Sequence, residues 1–167
     1  MKLPRLPFAV AGLSAAGLVT ILAMEGYVGT ALVPTENDRP TVGFGSTFRD
    51  DGAPVRMGDT IDPVRAVQRT AAHIDKDTRG LKRCITGETN QVEADLIIDF
   101  SYQYGVSATC RSSMVRHINA GRYVASCEAY TLYKFSGGYD CSTPGNKRCY
   151  GVWTRNLKRQ ADCMGAQ

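Results

Sequence analysis

The chain has no Cys-x-x-Cys pair, no dense basic tract and no strongly hydrophobic run, and each absence closes off a class of function. Six cysteines stand at Cys84, Cys110, Cys127, Cys141, Cys149 and Cys163. Without the paired spacing they do not read as a zinc site. His73 and His117 have no second His or Cys at metal-ligand spacing, and both read as ordinary helix residues. No Gly-x-Ser-x-Gly turn surrounds Ser112-Ser113, so a nucleophilic serine working with His117 is not supported. The net charge of +4 and pI near 8.8 are mild, and no Lys/Arg patch has aromatics between its basic residues. That argues against a dedicated nucleic-acid binder and leaves an anionic partner open. Internal repeats are also absent.

What is present suggests an exported protein of one domain. With the first two dozen residues set aside as an address, about 140 remain, enough for a single core. Lys2 and Arg5 precede an uncharged run, Leu6 to Met24, which as a helix would roughly span a hydrocarbon core of ~30 Å. The run is loaded with Ala9, Ala11, Gly12, Ser14, Ala15, Ala16, Gly17, Thr20 and Ala23, whose transfer free energy is small. A segment of this kind can be inserted by the export machinery and later leave the bilayer. We therefore read residues 1–24 as a releasable signal-anchor, ahead of a cleaved signal or a permanent anchor, and residues 25–167 as the functional domain. A cut after Ala23 would place Ile21 where a signal peptidase wants a small residue. An even cysteine count in an exported chain reads as up to three disulfides, with buried free thiols as the competing reading. Cys141 and Cys149 flank the turn-rich Ser142-Thr143-Pro144-Gly145-Asn146-Lys147-Arg148 and make the best single pair.

The body reads as α+β, mostly helical, with a small antiparallel sheet near its N-terminal end and an apolar helix before it. Tyr27 to Phe48 is short, β-branched and broken by Gly and Pro, which predicts a hairpin turning near Pro34 to Arg39. Gly43 and Gly45 would let the backbone approach another segment or a ligand. Asp62-Pro63 starts a helix with Val64, Val67, Ala71 and Ile74 on one stripe. Asn90 caps a second helix, in which Val92, Leu96, Ile97, Phe100 and Tyr104 repeat at helical spacing until Gly105. Further helices are expected at Ser112–Asn119, Tyr123–Lys134 and Val152–Met164.

The chemistry points to the seam at Glu25. An apolar setting disfavours the charged form of a carboxyl, so an acid directly after an apolar helix is a candidate proton donor. Cleaving a sugar-sugar bond needs such a donor together with a second group that holds a water or attacks the sugar. The polar turn beyond Glu25 offers Thr35, Glu36, Asp38 and Thr41 for that second role.

An ordered series carries a family resemblance. It runs through Glu25-Gly26, then Pro40-Thr41-Val42-Gly43-Phe44-Gly45-Ser46-Thr47, then Gly58-Asp59-Thr60-Ile61. It continues in Asp99-Phe100-Ser101-Tyr102-Gln103-Tyr104-Gly105-Val106, in Cys110-Arg111-Ser112-Ser113-Met114 with Asn119-Ala120-Gly121, and in Gly151-Val152-Trp153-Thr154-Arg155. The series resembles the phage lysozymes of glycoside hydrolase family 24, the T-even phage type. The weak apolar segment before Glu25 resembles the signal-anchor-release endolysins among them.

The resemblance implies a lysozyme-like fold and an endolysin that hydrolyses the β-1,4 bond between N-acetylmuramic acid and N-acetylglucosamine in peptidoglycan, for host cell lysis. By position, Glu25 matches the general acid and Thr41 the threonine opening the second hairpin strand. The carboxylate or cysteine usual between them has no counterpart at the usual spacing, where Pro34 and Thr35 stand. Asp38 is the favoured water-positioning group, with Glu36 behind it, and Thr35 would help Thr41 if neither serves. The catalytic set is thus Glu25, Asp38 and Thr41, with no metal or organic cofactor. A lytic transglycosylase, or a wall-binding protein without activity, is the alternative. The implied setting is a monomer tethered to the inner membrane through residues 6–24 and then released to the periplasm. The basic stretch Arg155 to Arg159 would be a solvated helix face or an aid to approaching an anionic wall.

Overall fold

The computed structural model describes residues 3–34 and 38–167. They form two compact units, one of Ser14–Lys76 and one of the arm up to Leu13 together with Asp77–Gln167. Among the described residues the architecture is mostly helical with three small two-stranded antiparallel sheets, the expected class with two more ribbons than the sequence suggested.

In the first unit, α1 (Ala15–Glu25) starts at Ser14, whose Oγ accepts a hydrogen bond from the Gly17 amide at 3.0 Å. The uncharged run that could form one long helix is instead divided. Leu6–Pro7 is strand β1, Phe8–Val10 is a single 3-10 turn, and helix resumes only at Ala15. Pro4 and Pro7 lack the amide that a continuous helical ladder needs, and Ser14 supplies a fresh start. The 11 residues of α1 cover about 16 Å. Among the described residues no helix is long and apolar enough to cross a membrane.

The expected hairpin is present. β2 (Val28–Leu32) pairs antiparallel with β3 (Thr41–Gly43), Leu32 opposite Thr41 and Val28 opposite Gly43, with a register shift between the two pairs. Its turn falls partly on residues 35–37, outside the described residues. The other edge of β2 bonds to the segment before the next helix, Ala31 donating to the Asp59 carbonyl and Ile61 to the Gly29 carbonyl. Ala31, Val42, Val55, Ile61 and Ala66 form the core, with Phe44 packed against them.

Helix α2 (Pro63–Leu81) is capped as predicted, the Arg65 amide donating to the Asp62 carboxylate at 2.9 Å. Its buried stripe keeps Ile74 of the expected one, with Val67 half-buried, and otherwise differs. Ala66, Thr70, Ile74, Thr78 and Leu81 are buried, whereas Val64 is 67% exposed and Ala71 is also exposed. The packed face joins Ala66, Thr70 and Thr78 to Ile74 and Leu81, so a pattern read without the threonines misplaces the stripe.

The second unit is organised on α3 (Gln91–Tyr104), buried almost all round from Glu93 to Ser101. Asn90 and Glu93 form a reciprocal capping box, the Glu93 amide donating to Asn90 Oδ1 at 2.9 Å and the Asn90 amide to Glu93 Oε2 at 2.8 Å. Arg5 reaches the same carboxylate at 2.7 Å and lies over the Tyr123 ring. Phe8, fully buried, and the pairing of β1 with β4 (Glu88–Thr89) hold the arm against this unit. Around α3 lie α4 (Val106–Cys110), α5 (Ser113–Asn119), α6 (Tyr123–Glu128) and α7 (Tyr150–Gly165). α4 was not expected, and the helix predicted over Tyr123–Lys134 passes into a 3-10 turn at Ala129–Leu132. Ser112 is spent as the cap of α5, its Oγ accepting from the Val115 amide.

The basic stretch Arg155 to Arg159 is not a solvated face. Arg155 and Arg159 are buried and donate to opposite oxygens of Asp99, each at 2.6 Å, while Arg159 also donates to Asn156 Oδ1. Leu157 and Lys158 in that stretch are exposed, Lys158 paired with Asp162. Periodicity misses this arrangement because an arginine reads as surface until a buried carboxylate is placed opposite it. Near the same cluster, burial pushes the Tyr130 hydroxyl well above its ordinary pKa.

All three disulfides lie in this unit: Cys84–Cys110, Cys127–Cys163 and the expected local staple Cys141–Cys149. The staple sits beside the β5 (Phe135–Ser136) and β6 (Tyr139–Asp140) hairpin. The Lys134 ammonium, then the Ser142 hydroxyl and amide, hold the Asp140 carboxyl down to about 2 from an ordinary 3.8. A folded-state pKa below the unfolded value stabilises above the unfolded value and is lost as pH falls through the folded one. The hairpin is therefore expected to loosen between about pH 4 and pH 2. Amide exchange at Ser142 should report it, and Asp140→Asn should remove that acid-dependent step.

Candidate active site

Glu25 is the last residue of α1, and its position is set by the residue that follows. Gly26 has φ 70° and ψ 159°, a region that only glycine adopts readily, so the chain leaves the helix sharply after the carboxylate. Tyr27 then braces the turn, its hydroxyl donating to the Ile61 carbonyl at 2.5 Å and its ring lying 5.6 Å from Phe44. Gly29 leaves room for that phenol, since a Cβ there would stand 3.2 Å from the Tyr27 oxygen.

The hairpin returns to Glu25 through its second strand. Beyond β3 the chain turns tightly, Val42 and Ser46 exchanging both backbone hydrogen bonds at 3.0 Å. Within the turn Gly45 lies against the acid, where a Cβ would come 3.4 Å from Glu25 Oε2. Gly43 is pressed onto α2, where a Cβ would sit 3.1 Å from the Ala66 Cβ. Both close approaches anticipated for these glycines are thus found. Gly43→Ala would combine a φ of +69° with that overlap, and we expect it to cost about 2–3 kcal/mol, measured by urea unfolding.

Of the sequence candidates, Glu25 is half-buried and Thr41 is half-buried at the first position of β3. Asp38 is exposed on the approach to β3, and its Oδ1 accepts from the Arg39 amide at 2.8 Å. Thr35 and Glu36 lie outside the described residues. Sequence reasoning did not single out Tyr27. The signal available was an aromatic directly after Glu-Gly, which names no partner.

Elsewhere in this unit Asp50 accepts from both Arg69 and Arg65 of α2, and these guanidiniums, Arg69 first, hold its carboxyl below the usual range. The pair fastens the loop after β3 to the helix. Among the described residues no group of His, Cys, Asp and Glu is arranged to hold a metal ion.

An acid at a helix end, closed over by the glycine turn of a following hairpin, sits within the segment that matches the phage lysozyme family model, residues 23–158. The chain belongs to the phage lysozyme family. Its fold is close to that of the endolysin from Escherichia coli O157:H7 phage FAHEc1, with a TM-score of 0.80, 26% identity, and coverage of 95% of this chain and 96% of that one. A point mutant of P22 lysozyme has a TM-score of 0.76 at 22% identity, covering 93% and 99%, a likeness of fold. In sequence the chain is 26% identical over 98 residues to the endolysin of Salmonella phage P22, spanning 59% of this phage lysozyme and 67% of that protein. It is 25% identical over 128 residues to the endolysin of Bacillus phage B103, 75% of this chain but about half, 47%, of the relative.

Proposed function

We propose that this phage lysozyme is an endolysin that hydrolyses the β-1,4 bond between N-acetylmuramic acid and N-acetylglucosamine in peptidoglycan. The observation that carries the reading is the placing of Glu25 at the end of α1 under the Gly45 turn of the strand that Thr41 opens. Glu25 donates a proton to the leaving glycosidic oxygen. A water oriented by Asp38 and Thr41 attacks the anomeric carbon, and the chain works as a monomer without metal or organic cofactor. Family membership, and the endolysins among the similar proteins, support the wall as substrate.

The test is mass spectrometry of fragments released from purified peptidoglycan by the wild type, Glu25→Gln and Asp38→Asn. Reducing muramic ends that disappear in both variants support the assignment. Anhydro ends would make the enzyme a transglycosylase, and full activity in Asp38→Asn would remove Asp38 from the mechanism.

The N-terminal segment has two uses in this reading. Residues 6–24 first tether the exported chain to the inner membrane, with Lys2 and Arg5 on the cytoplasmic side, and then withdraw into the periplasm. The folded arrangement supports this, because Phe8 and Ile21 are fully buried and Arg5 is tied to Glu93, contacts that a spanning helix could not keep. Carbonate extraction of membranes should find the chain in both fractions, with lytic activity only in the released one. Equal activity in the tethered fraction would sink the scheme.

A further inference from the structure

The β5–β6 hairpin has no part in the proposed chemistry, yet it is built as a rigid finger. Residues 135–139, Phe-Ser-Gly-Gly-Tyr, are all exposed, with Phe135 at 59% and Tyr139 at 48%. Gly137 and Gly138 both have positive φ and form a tip without side chains. Phe135 pairs with Asp140 and Ser136 with Tyr139, so the two rings stand on opposite faces of the ribbon just behind that tip. Its base is held by the Lys134–Asp140 ion pair at 2.7 Å and by the Cys141–Cys149 disulfide. Exposed aromatics on a braced support, rather than on a loose loop, lose little freedom when they are covered.

The charges around the rings indicate what covers them. Lys134 lies 5.3 Å from the Phe135 ring centre, and the Arg148 guanidinium lies 4.5 Å from that of Tyr139. One face of each ring is thus occupied by a cation, which leaves a poor platform for stacking a neutral sugar. Lys134 is balanced by Asp140, but Lys147 and Arg148, both exposed, have no carboxylate partner among the described residues. A surface pairing apolar rings with unbalanced cations complements a partner that is at once apolar and negatively charged. We propose that this hairpin docks tip-first on an anionic lipid bilayer, burying Phe135 and Tyr139 at the level of the headgroups while Lys147 and Arg148 meet lipid phosphates. The proposal does not depend on the glycosidase reading.

The test is co-sedimentation of the full chain with phosphatidylglycerol or phosphatidylcholine vesicles, beside turnover of purified peptidoglycan. The wild type should favour the anionic vesicles. Lys147→Ser with Arg148→Ser should weaken that binding by roughly five-fold for each cation removed. Phe135→Ser with Tyr139→Ser should weaken binding to both vesicle types, and both double variants should keep wild-type turnover, since the changed side chains are exposed. Vesicle binding that is absent in the wild type, or unchanged in the variants, overturns the proposal. So does a loss of peptidoglycan turnover with vesicle binding intact, which would make the hairpin a surface for the wall.

Discussion

Glu25→Gln is expected to lower peptidoglycan turnover by roughly 1000-fold while leaving the thermal midpoint within a degree or two of wild type, the range a positioned general acid supplies. The amide keeps the size and most of the hydrogen-bonding capacity of the carboxyl. The turn at Gly26, the Tyr27 brace and the packing under Gly45 should therefore survive. What it cannot do is give up a proton to the leaving oxygen. A fall in kcat with little change in KM is the expected signature, because in the proposed mechanism the interaction removed is made in the transition state. A variant that retains wild-type kcat would remove Glu25 from the reaction altogether.

Asp99→Ala should be the most destabilising single change in the second unit. Asp99 is the carboxylate shared by two buried guanidiniums, and Arg159 is 2% exposed. Deleting it leaves both cations in a poorly solvated place, at a cost of about 3–5 kcal/mol. For a chain of this size that lowers the midpoint by roughly 10 °C, to be measured by calorimetry. Replacing the whole set at once, Asp99→Leu with Arg155→Met and Arg159→Met, should recover most of the loss, since an apolar set of similar volume needs no counter-charge. If the triple variant is no better than Asp99→Ala, packing around Phe100, whose ring lies 5.4 Å from the Arg159 guanidinium, matters more than charge.

Much of this phage lysozyme was legible because the signals are local. The Asn90 cap with Gly105 as stop, the Asp62-Pro63 start, the hairpin after Glu25 and the Cys141–Cys149 staple each depend on one short contiguous segment of the chain. The ordered series from Glu25 to Arg155 placed the family for the same reason, since it needs only order and spacing. Less legible were features whose meaning comes from a distant partner. Val64 and Ala71 belong to the apolar pattern that Ile74 shares, yet both are exposed, while Ala66, which the pattern left out, is buried against Gly43. The apolar run before Glu25 carries no mark of the Arg5–Glu93 pair, 88 residues apart, that ties it into the folded form.

The sequence by itself determined the start of α2 and both ends of α3, the count of cysteines available for pairing, and the glutamate that follows an apolar segment. Those depend on backbone geometry at Gly and Pro, on caps, and on composition. Only the tertiary structure decided which cysteines beyond the local staple pair, that Arg155 and Arg159 point inward to Asp99, and that Gly45 rather than another turn residue closes over Glu25. Each of these is a contact between segments far apart in the chain, where burial changes what a charged or a small residue does.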